Sequence, residues 1–368
     1  MEHLALYRKY RPKTFEEVVG QEHITKTLAN QILAGKLNHA YLFTGTRGTG
    51  KTSIAKIFAR AVNCENTKTG SPCGECETCK KLLNDNDINI VEIDAASNNK
   101  VDDIRELREK VKFAPIGAKY KVYIIDEVHM LSDSAFNALL KTLEEPPKYV
   151  IFILATTEVH KLPATILSRC VRFDFRLISV EELTNHLAKI FDREGVKYDR
   201  EALKLIATAG EGSVRDTLSI ADCINAFSNG NITKEGVQKV LGTTDYDLLR
   251  EFFDALIEKS IGSILEIVNR IDASGKNMAV FAKDIAKYAR DLLTVKTCKQ
   301  PNSILNLPND VYEKFEEQSK KVNERELVDY LQAFAGIENE LRYSLSTRLL
   351  IETTALSVIS GENVKKNK

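Results

Sequence analysis

The residues with the clearest chemical meaning form a glycine-rich loop near the amino terminus. Residues 45–52 follow the pattern G-x-x-x-x-G-K-[ST], between a short apolar run at 40–44 and a helical run at 53–62. Glycines let such a loop curl so that successive N–H groups point at phosphate oxygens, while the lysine reaches the outer phosphates. The pattern predicts a nucleoside triphosphate site; the alternative is a glycine-rich turn without a ligand. The residues expected to contact the nucleotide here are Gly45, Thr46, Arg47, Gly48, Thr49, Gly50, Lys51, Thr52 and Ser53.

A second set of candidate catalytic groups ends an apolar, strand-like run, Lys121–Asp126, and Glu127 comes next. At the carboxyl edge of a parallel strand, Asp126 can hold Mg²⁺ together with Thr52, and Glu127 can polarise the attacking water. An Asp-Glu pair alone would favour a solvated acidic turn, but the loop upstream favours hydrolysis. His129 is a candidate for a further site residue, but a surface histidine is the favoured interpretation.

Further polar side chains lie where they can act on a terminal phosphate. A third apolar run, Tyr149–Ala155, delivers the hydroxyls of Thr156 and Thr157 to the same sheet edge, although a strand-end threonine without a role is nearly as well supported. Arg169 follows a short helix, and Arg215 lies in the first turn of a later one. A guanidinium on the γ-phosphate, from the same chain or a neighbour, assists phosphoryl transfer. Taken singly, either arginine would be assigned to the surface.

Four of the seven cysteines crowd into sixteen residues, with spacings of eight, two and two residues between them: Cys64, Cys73, Cys76 and Cys79. Thiolates at these intervals can converge on one tetrahedral Zn²⁺ at Zn–S distances of about 2.3 Å. An iron–sulfur cluster uses the same ligands and remains an alternative, as do free thiols or disulfides. The surrounding segment is an insertion after the loop helix, which favours a structural metal site.

Length and charge set the broad class of the protein. The 368 residues predict two or three domains, and Lys+Arg and Asp+Glu both total 52. There is thus no global field that would draw the chain onto nucleic acid or lipid, and any DNA contact must be local or shared among subunits. No run has the length of a signal peptide or membrane span, so the expected location is the cytoplasm, without a membrane partner.

Apolar periodicity divides the chain into an α/β part and a helical part. Residues 1–178 alternate strand-like and helix-like runs, which predicts a parallel sheet with helices on both faces. After residue 179 helical periodicity dominates and no strand is expected; residues 179–242 and 243–368 are predicted as two all-α domains, the second with a short disordered tail. The predicted strands are Ala40–Thr44, Asn89–Asp94, Lys121–Asp126, Tyr149–Ala155 and Val171–Phe175.

These elements, in this order, resemble AAA+ clamp-loader ATPases. The resemblance rests on the loop, the Asp-Glu strand and several further stretches: Tyr7-Arg-Lys-Tyr-Arg11-Pro12, Phe136-Asn-Ala-Leu-Leu-Lys141, Ser168-Arg169-Cys170 and Gly212-Ser-Val-Arg215-Asp216. With the four-cysteine insertion, the chain is most similar to the gamma/tau family of bacterial DNA polymerase III. The motifs cover about residues 4–220; beyond about 245 the resemblance rests on helical architecture and Asn339-Glu-Leu-Arg342.

The resemblance implies roles for individual residues. It places Arg11, Val18 and Val19 around the adenine base, Thr157 at the first sensor and Arg215 at the second. Arg169 matches the finger that enters the ATP site of the adjacent subunit. The family's zinc ligands fall on the four clustered cysteines, and its oligomerisation collar on the last helical block.

The implied function is an ATP hydrolase that opens a ring-shaped sliding clamp and loads it onto primed DNA, without itself transferring nucleotides. The implied cofactors are ATP, Mg²⁺ and Zn²⁺; the implied partners are other clamp-loader subunits, copies of itself, the clamp and primer–template DNA bound without sequence preference. Residues 96–105 are candidate DNA contacts, and an ordinary capped surface helix is an equal alternative. Another AAA+ motor, for branch migration or protein remodelling, and a non-hydrolysing zinc-bearing scaffold are the competing functions.

Overall fold

The computed structural model describes residues 4–82, 87–241, 246–275, 277–305, 309–340 and 346–361. The chain divides into two compact units, Met1–Val237 and Gln238–Lys368. Part of the 339–342 motif, the predicted boundary at 242/243 and the tail predicted as disordered lie outside the described residues.

A five-stranded parallel sheet organises the first unit, with strand order β2-β3-β4-β1-β5. Its strands are β1 Ala40–Thr44, β2 Ile90–Asp94, β3 Lys121–Asp126, β4 Val150–Thr156 and β5 Val171–Asp174. Alternate residues of β1 enter different cores: Tyr41 and Phe43 pack on one face of the sheet, and Leu42 packs on the other. Both faces are therefore buried, which confirms the predicted parallel sheet covered by helices on both sides.

Seven helices belong to the α/β part of this unit: α1 Leu6–Lys9, α2 Glu22–Leu33, α3 Lys51–Asn63, α4 Glu77–Lys81, α5 Val101–Val111, α6 Asp133–Glu144 and α7 Ala164–Leu167. Single 3₁₀ turns lie at Phe15–Glu17, Val128–Met130 and Val159–Lys161. Three helices follow, α8 Val180–Glu194, α9 Arg200–Ala209 and α10 Val214–Ser228, and then α11 Lys234–Leu241.

The helical region after residue 179 contains one feature that the sequence analysis missed. Two-residue strands, β6 Lys197–Tyr198 and β7 Asn231–Ile232, form a parallel pair. The expectation of no strand here was wrong, because two residues are too short to carry a period-two pattern.

The described part of the second unit is helical: α12 Tyr246–Ile257, α13 Ile261–Ala273, α14 Met278–Thr297, α15 Pro301–Leu305, α16 Asn309–Ser319, α17 Glu324–Glu340 and α18 Thr347–Ser360. Its core is aromatic, with Phe252 in edge contact with Phe253, Phe281 and Phe334. Across the described residues of both units, no helix is long and apolar enough to cross a membrane.

Candidate functional site

The backbone of the loop between β1 and α3 adopts conformations that require glycine at three positions. Gly45, Gly48 and Gly50 have φ values of 144°, 77° and 104°, a region that side chains with a Cβ rarely adopt. Space is also restricted, since a Cβ on Gly48 would lie 2.0 Å from the Ser213 hydroxyl oxygen. The conformation of this loop, and its close contact with the start of α10, therefore depend on glycine at these positions.

Lys51 points back into the loop that precedes it. Its Nζ donates hydrogen bonds to the carbonyl oxygens of Gly45 (2.8 Å) and Thr46 (2.9 Å), and its side chain is buried. Burial lowers the pKa of Lys51, and the nearby carboxylates of Glu127 and Asp126 oppose that shift. The ammonium thus lies inside the ring of backbone that is expected to surround the phosphates.

Asp126 and Thr52 meet at the edge of the sheet. The Thr52 hydroxyl donates to Asp126 Oδ2 at 2.7 Å, although 74 residues separate them in sequence. A hydroxyl and a carboxylate are oxygen ligands of the kind that Mg²⁺ prefers, and two ligands from the protein suit an ion that keeps several waters. These two side chains therefore fit a magnesium site.

Glu127 is held by the end of the neighbouring strand. Its Oε2 accepts hydrogen bonds from the backbone N–H (3.3 Å) and the hydroxyl (3.1 Å) of Thr157. Glu127 itself has a left-handed backbone, with φ of 47°. The predicted base and the predicted first sensor are thus in direct contact.

His129 is the residue whose interpretation was wrong. Its side chain is only 6% exposed, because the 3₁₀ turn Val128–Met130 folds the ring back against the end of β4. Nδ1 lies 3.0 Å from the Thr156 hydroxyl oxygen, and Nε2 lies 3.1 Å from a carboxylate oxygen of Glu158. His129, Thr156 and Glu158 therefore belong to the surroundings of the site.

A cavity of about 840 Å³ joins these groups to the amino-terminal segment. The predicted residues that line it are Arg11, Val18, Val19, Arg47, Gly48, Thr49, Gly50, Lys51, Thr52, Ser53, Asp126, Glu127 and Arg215. The Arg215 guanidinium stands 5.4 Å from the centre of the Tyr7 ring, and Arg11 donates to the Ser53 hydroxyl at 3.2 Å. Sequence reasoning did not single out Tyr7, although the quoted amino-terminal motif begins with it.

Arg169 lies apart from that cavity. Its guanidinium forms an ion pair with Glu144 (2.7 Å) and donates to the Thr165 carbonyl oxygen (2.8 Å). The structure thus brings together the loop, the two carboxylates, Thr157 and Arg215, and places Arg169, just after α7, outside the lining of that cavity.

The four clustered cysteines converge as a metal centre requires. Their sulfur atoms all lie within 4.8 Å of one another, and among the described residues they are the one such group of His, Cys, Asp or Glu. The backbone N–H groups of Cys76 and Glu75 lower the pKa of the Cys73 thiol to about 6, whereas burial raises the pKa of the Cys64 and Cys79 thiols. An all-sulfur, largely buried set fits a closed structural Zn²⁺ site.

Most of the chain matches models of known protein families. Residues 20–179 match the family model for the DNA polymerase III delta subunit, and residues 182–230 match that for the ATPase lid domain of a DNA polymerase III clamp loader subunit. Residues 232–367 match domain III of the DNA polymerase III subunits gamma and tau. The chain is 35% identical to the DNA polymerase III subunit gamma of Buchnera aphidicola over 98% of its own length and 100% of that protein.

The chain belongs to the gamma/tau family of DNA polymerase III subunits.

Longer relatives of this family share the same region. The DNA polymerase III subunit tau of Bacillus subtilis is 45% identical over 97% of this chain, and that of Escherichia coli is 39% identical over 98%. The chain spans 63% and 56% of the lengths of these two proteins. The Thermotoga maritima RuvB Holliday junction branch migration motor has a TM-score of 0.50 at 22% identity, covering 72% of this chain and 85% of that one, and this likeness concerns the fold alone.

In this gamma/tau chain, several polar groups of the candidate DNA-binding segment, residues 96–105, form hydrogen bonds within the segment or to the adjacent Asp94. Asp94 accepts from the backbone N–H of Ala96 (2.9 Å) and from the Ser97 hydroxyl (3.2 Å). Asp103 caps the start of α5 through the Lys100 N–H (3.0 Å). DNA contacts of residues 96–105 stay a prediction, and the capped helix alternative describes these bonds equally well.

Proposed function

We propose that this chain is an ATP-hydrolysing subunit of a DNA polymerase III clamp loader, which uses ATP to open a ring-shaped sliding clamp and place it on primed DNA. The contact that carries the proposal is the cluster at the sheet edge, where Thr52 meets Asp126 at 2.7 Å beside Glu127 and the phosphate loop. Membership of the gamma/tau family supports the clamp-loading role, and the likeness to a branch-migration motor is one of fold only.

In this proposal each group of the site has one task. The loop N–H groups and Lys51 bind the phosphates, and Glu127 accepts the proton of the attacking water. Thr52 and Asp126 would hold Mg²⁺, which when bound neutralises charge on the phosphate oxygens. Thr157 orients Glu127 through two hydrogen bonds to a single carboxylate oxygen. Arg11, Val18 and Val19 line the part of the cavity that we assign to the adenine base.

Arg169 is proposed to complete the site of an adjacent subunit rather than its own. Its ion pair with Glu144, away from the cavity of its own chain, supports that role. Arg169→Ala should lower hydrolysis about 10³-fold in the assembled complex, by analogy with arginine fingers, and leave the ATP affinity of the isolated chain unchanged. Arg200→Ala, which removes a comparable surface pair with Glu181, is the matched control. A loss of affinity in the isolated chain would instead assign Arg169 to its own site.

The remaining elements complete the proposal. Cys64, Cys73, Cys76 and Cys79 would hold a structural Zn²⁺, and residues 243–368 would form an oligomerisation collar. Arg215 would sense the nucleotide from the first turn of α10. The chain would act in the cytoplasm as part of the polymerase holoenzyme, with other loader subunits, copies of itself, the clamp and primer–template DNA as partners.

Steady-state ATPase measurement tests the proposed function. The purified chain is assayed alone and then with partner subunits, clamp and primed DNA. We expect a low rate for the isolated chain and a rise that requires the complete mixture, since the site is proposed to be shared between subunits. A rate that ignores the clamp, or that rises equally with any DNA, would contradict clamp loading and favour another motor activity.

A further inference from the structure

We propose that His129 is a positioning residue, which locks the turn carrying Glu127 to the end of β4 and thereby fixes the catalytic carboxylate. The inference rests on the proposed function, because His129 would affect hydrolysis only by holding Glu127 in place and would take no part in proton transfer. It begins from an observation about burial: a histidine beside the catalytic pair is only 6% exposed, whereas His160, which also approaches Glu158, is 74% exposed.

The ring nitrogens of His129 have one partner at the last residue of β4 and one just after that strand. The Thr156 hydroxyl lies 3.0 Å from Nδ1, and a carboxylate oxygen of Glu158 lies 3.1 Å from Nε2. These partners are 27 and 29 residues away along the chain, so the ring ties the Val128–Met130 turn to a different strand.

The partners also assign the tautomer of the ring. Glu158 as a carboxylate only accepts, so the ring hydrogen lies on Nε2. The Thr156 hydroxyl oxygen already accepts from the Glu158 backbone N–H at 3.0 Å, which leaves its own hydrogen to donate to Nδ1. Lys161 donates to the same Glu158 oxygen at 2.8 Å and holds that carboxylate in place. Both ring nitrogens of His129 therefore have a polar partner.

The geometry around Glu127 shows what this lock achieves. Glu127 Oε2 accepts two hydrogen bonds from Thr157 and lies 3.4 Å from His129 Nδ1, while its Oε1 has no hydrogen bond to any described residue. One carboxylate oxygen is therefore held by Thr157, on a strand end that His129 ties to the turn, and the other remains available to a water. Glu127 also has a left-handed backbone, a conformation that persists in a residue other than glycine only where surrounding contacts hold it.

His129→Phe is the variant that tests the proposal, since phenylalanine fills the space of the ring and removes both nitrogens. Loss of the anchor lets Glu127 shift, and a shift of about 1 Å can lower a rate about 100-fold. In the clamp-loader complex we expect kcat to fall roughly 10- to 100-fold while the ATP dissociation constant of the full chain stays unchanged, because Lys51 and Thr52 are untouched. His160→Phe is the matched control and should leave both quantities unchanged.

Two further variants separate positioning from general structural support. His129→Asn and His129→Gln each restore one polar atom of the ring and should recover part of kcat, which a filler residue would not do. In a Glu127→Gln background, His129→Phe should cause no further loss of kcat, because the two residues act as one unit.

The outcomes separate this inference from the proposed function on which it rests. The positioning role is overturned if His129→Phe leaves kcat unchanged while Glu127→Gln still abolishes turnover. It is also overturned if His129→Phe lowers ATP affinity and the melting temperature without lowering kcat. A full additional loss in the Glu127→Gln background overturns it as well. Unchanged turnover in Glu127→Gln itself would overturn the proposed function, whatever His129→Phe does.

Discussion

The two ends of helix α3 serve opposite purposes. At its start, Lys51 and Thr52 follow a loop of left-handed glycines and line an open cavity of about 840 Å³. Just past its end, Cys64 is 2% exposed and belongs to a closed group of four sulfur atoms. Thirteen residues of one helix thus connect a site proposed to admit and release a nucleotide to a site proposed to enclose a metal ion.

The closed end also supports the wall of the open one. The Ser71 hydroxyl, within the cysteine segment, accepts from the Phe15 N–H at 3.0 Å and donates to the Glu16 carboxylate at 2.7 Å. Burial would raise the pKa of Glu16, but hydrogen bonds from Ser71, from the Glu16 backbone N–H and from the Thr69 and Thr14 side chains together lower it. Phe15 and Glu16 lead directly into Val18 and Val19, so the cysteine segment braces the proposed base pocket. We therefore expect nucleotide binding at the open end to depend on the integrity of the cysteine segment.

Lys51→Ala should have the largest effect and should affect the open end alone. Loss of a charged donor to phosphate corresponds to about 3 kcal/mol, or roughly a 100-fold weaker ATP affinity. The zinc content should remain at one ion per chain. Calorimetric ATP titration and metal analysis measure the two quantities, with Lys26→Ala on the exposed face of α2 as the control. Loss of zinc in Lys51→Ala would show that the two ends are not separable.

Cys79→Ser should have the next largest effect and should act on both ends. The variant should lose zinc and unfold at lower temperature, because the metal holds the segment together. ATP affinity should weaken about tenfold, the equivalent of one or two supporting hydrogen bonds. Cys223→Ser, at an exposed position in α10, should change nothing. Unchanged ATP affinity in a zinc-free Cys79→Ser protein would contradict the bracing.

Ser71→Ala should have the smallest effect and should isolate the link between the ends. Zinc should be retained, since no ligand is altered. Without the hydroxyl, the Phe15 N–H and the Glu16 carboxylate each lose one hydrogen-bond partner, at a cost of about 1 kcal/mol. We therefore expect ATP affinity to fall about 2- to 5-fold. Ser134→Ala, on the exposed side of α6, serves as the control. An ATP affinity equal to that of the unaltered chain would show that the Ser71 hydrogen bonds do not support the base pocket.

The sequence predicted the parts of this molecule that local patterns determine. All five strands of the main sheet were predicted within one residue at each end, because buried parallel strands are continuous apolar runs. The convergence of the cysteines followed from their spacing. In contrast, the burial of His129 depends on partners 27 and 29 residues away, and the brace from Ser71 to Glu16 spans 55 residues. Such contacts leave no periodic trace in the chain.

We propose that the phosphate loop binds ATP and that Glu127 is required for hydrolysis. The decisive experiment measures the ATP dissociation constant of Glu127→Gln and its turnover in the assembled complex, with Glu181→Gln on α8 as the control. We expect an affinity within about twofold of the unaltered chain and a turnover lower by about 100-fold or more, because a general base has been removed. Unchanged turnover, or a loss of affinity as large as the loss of turnover, would contradict it.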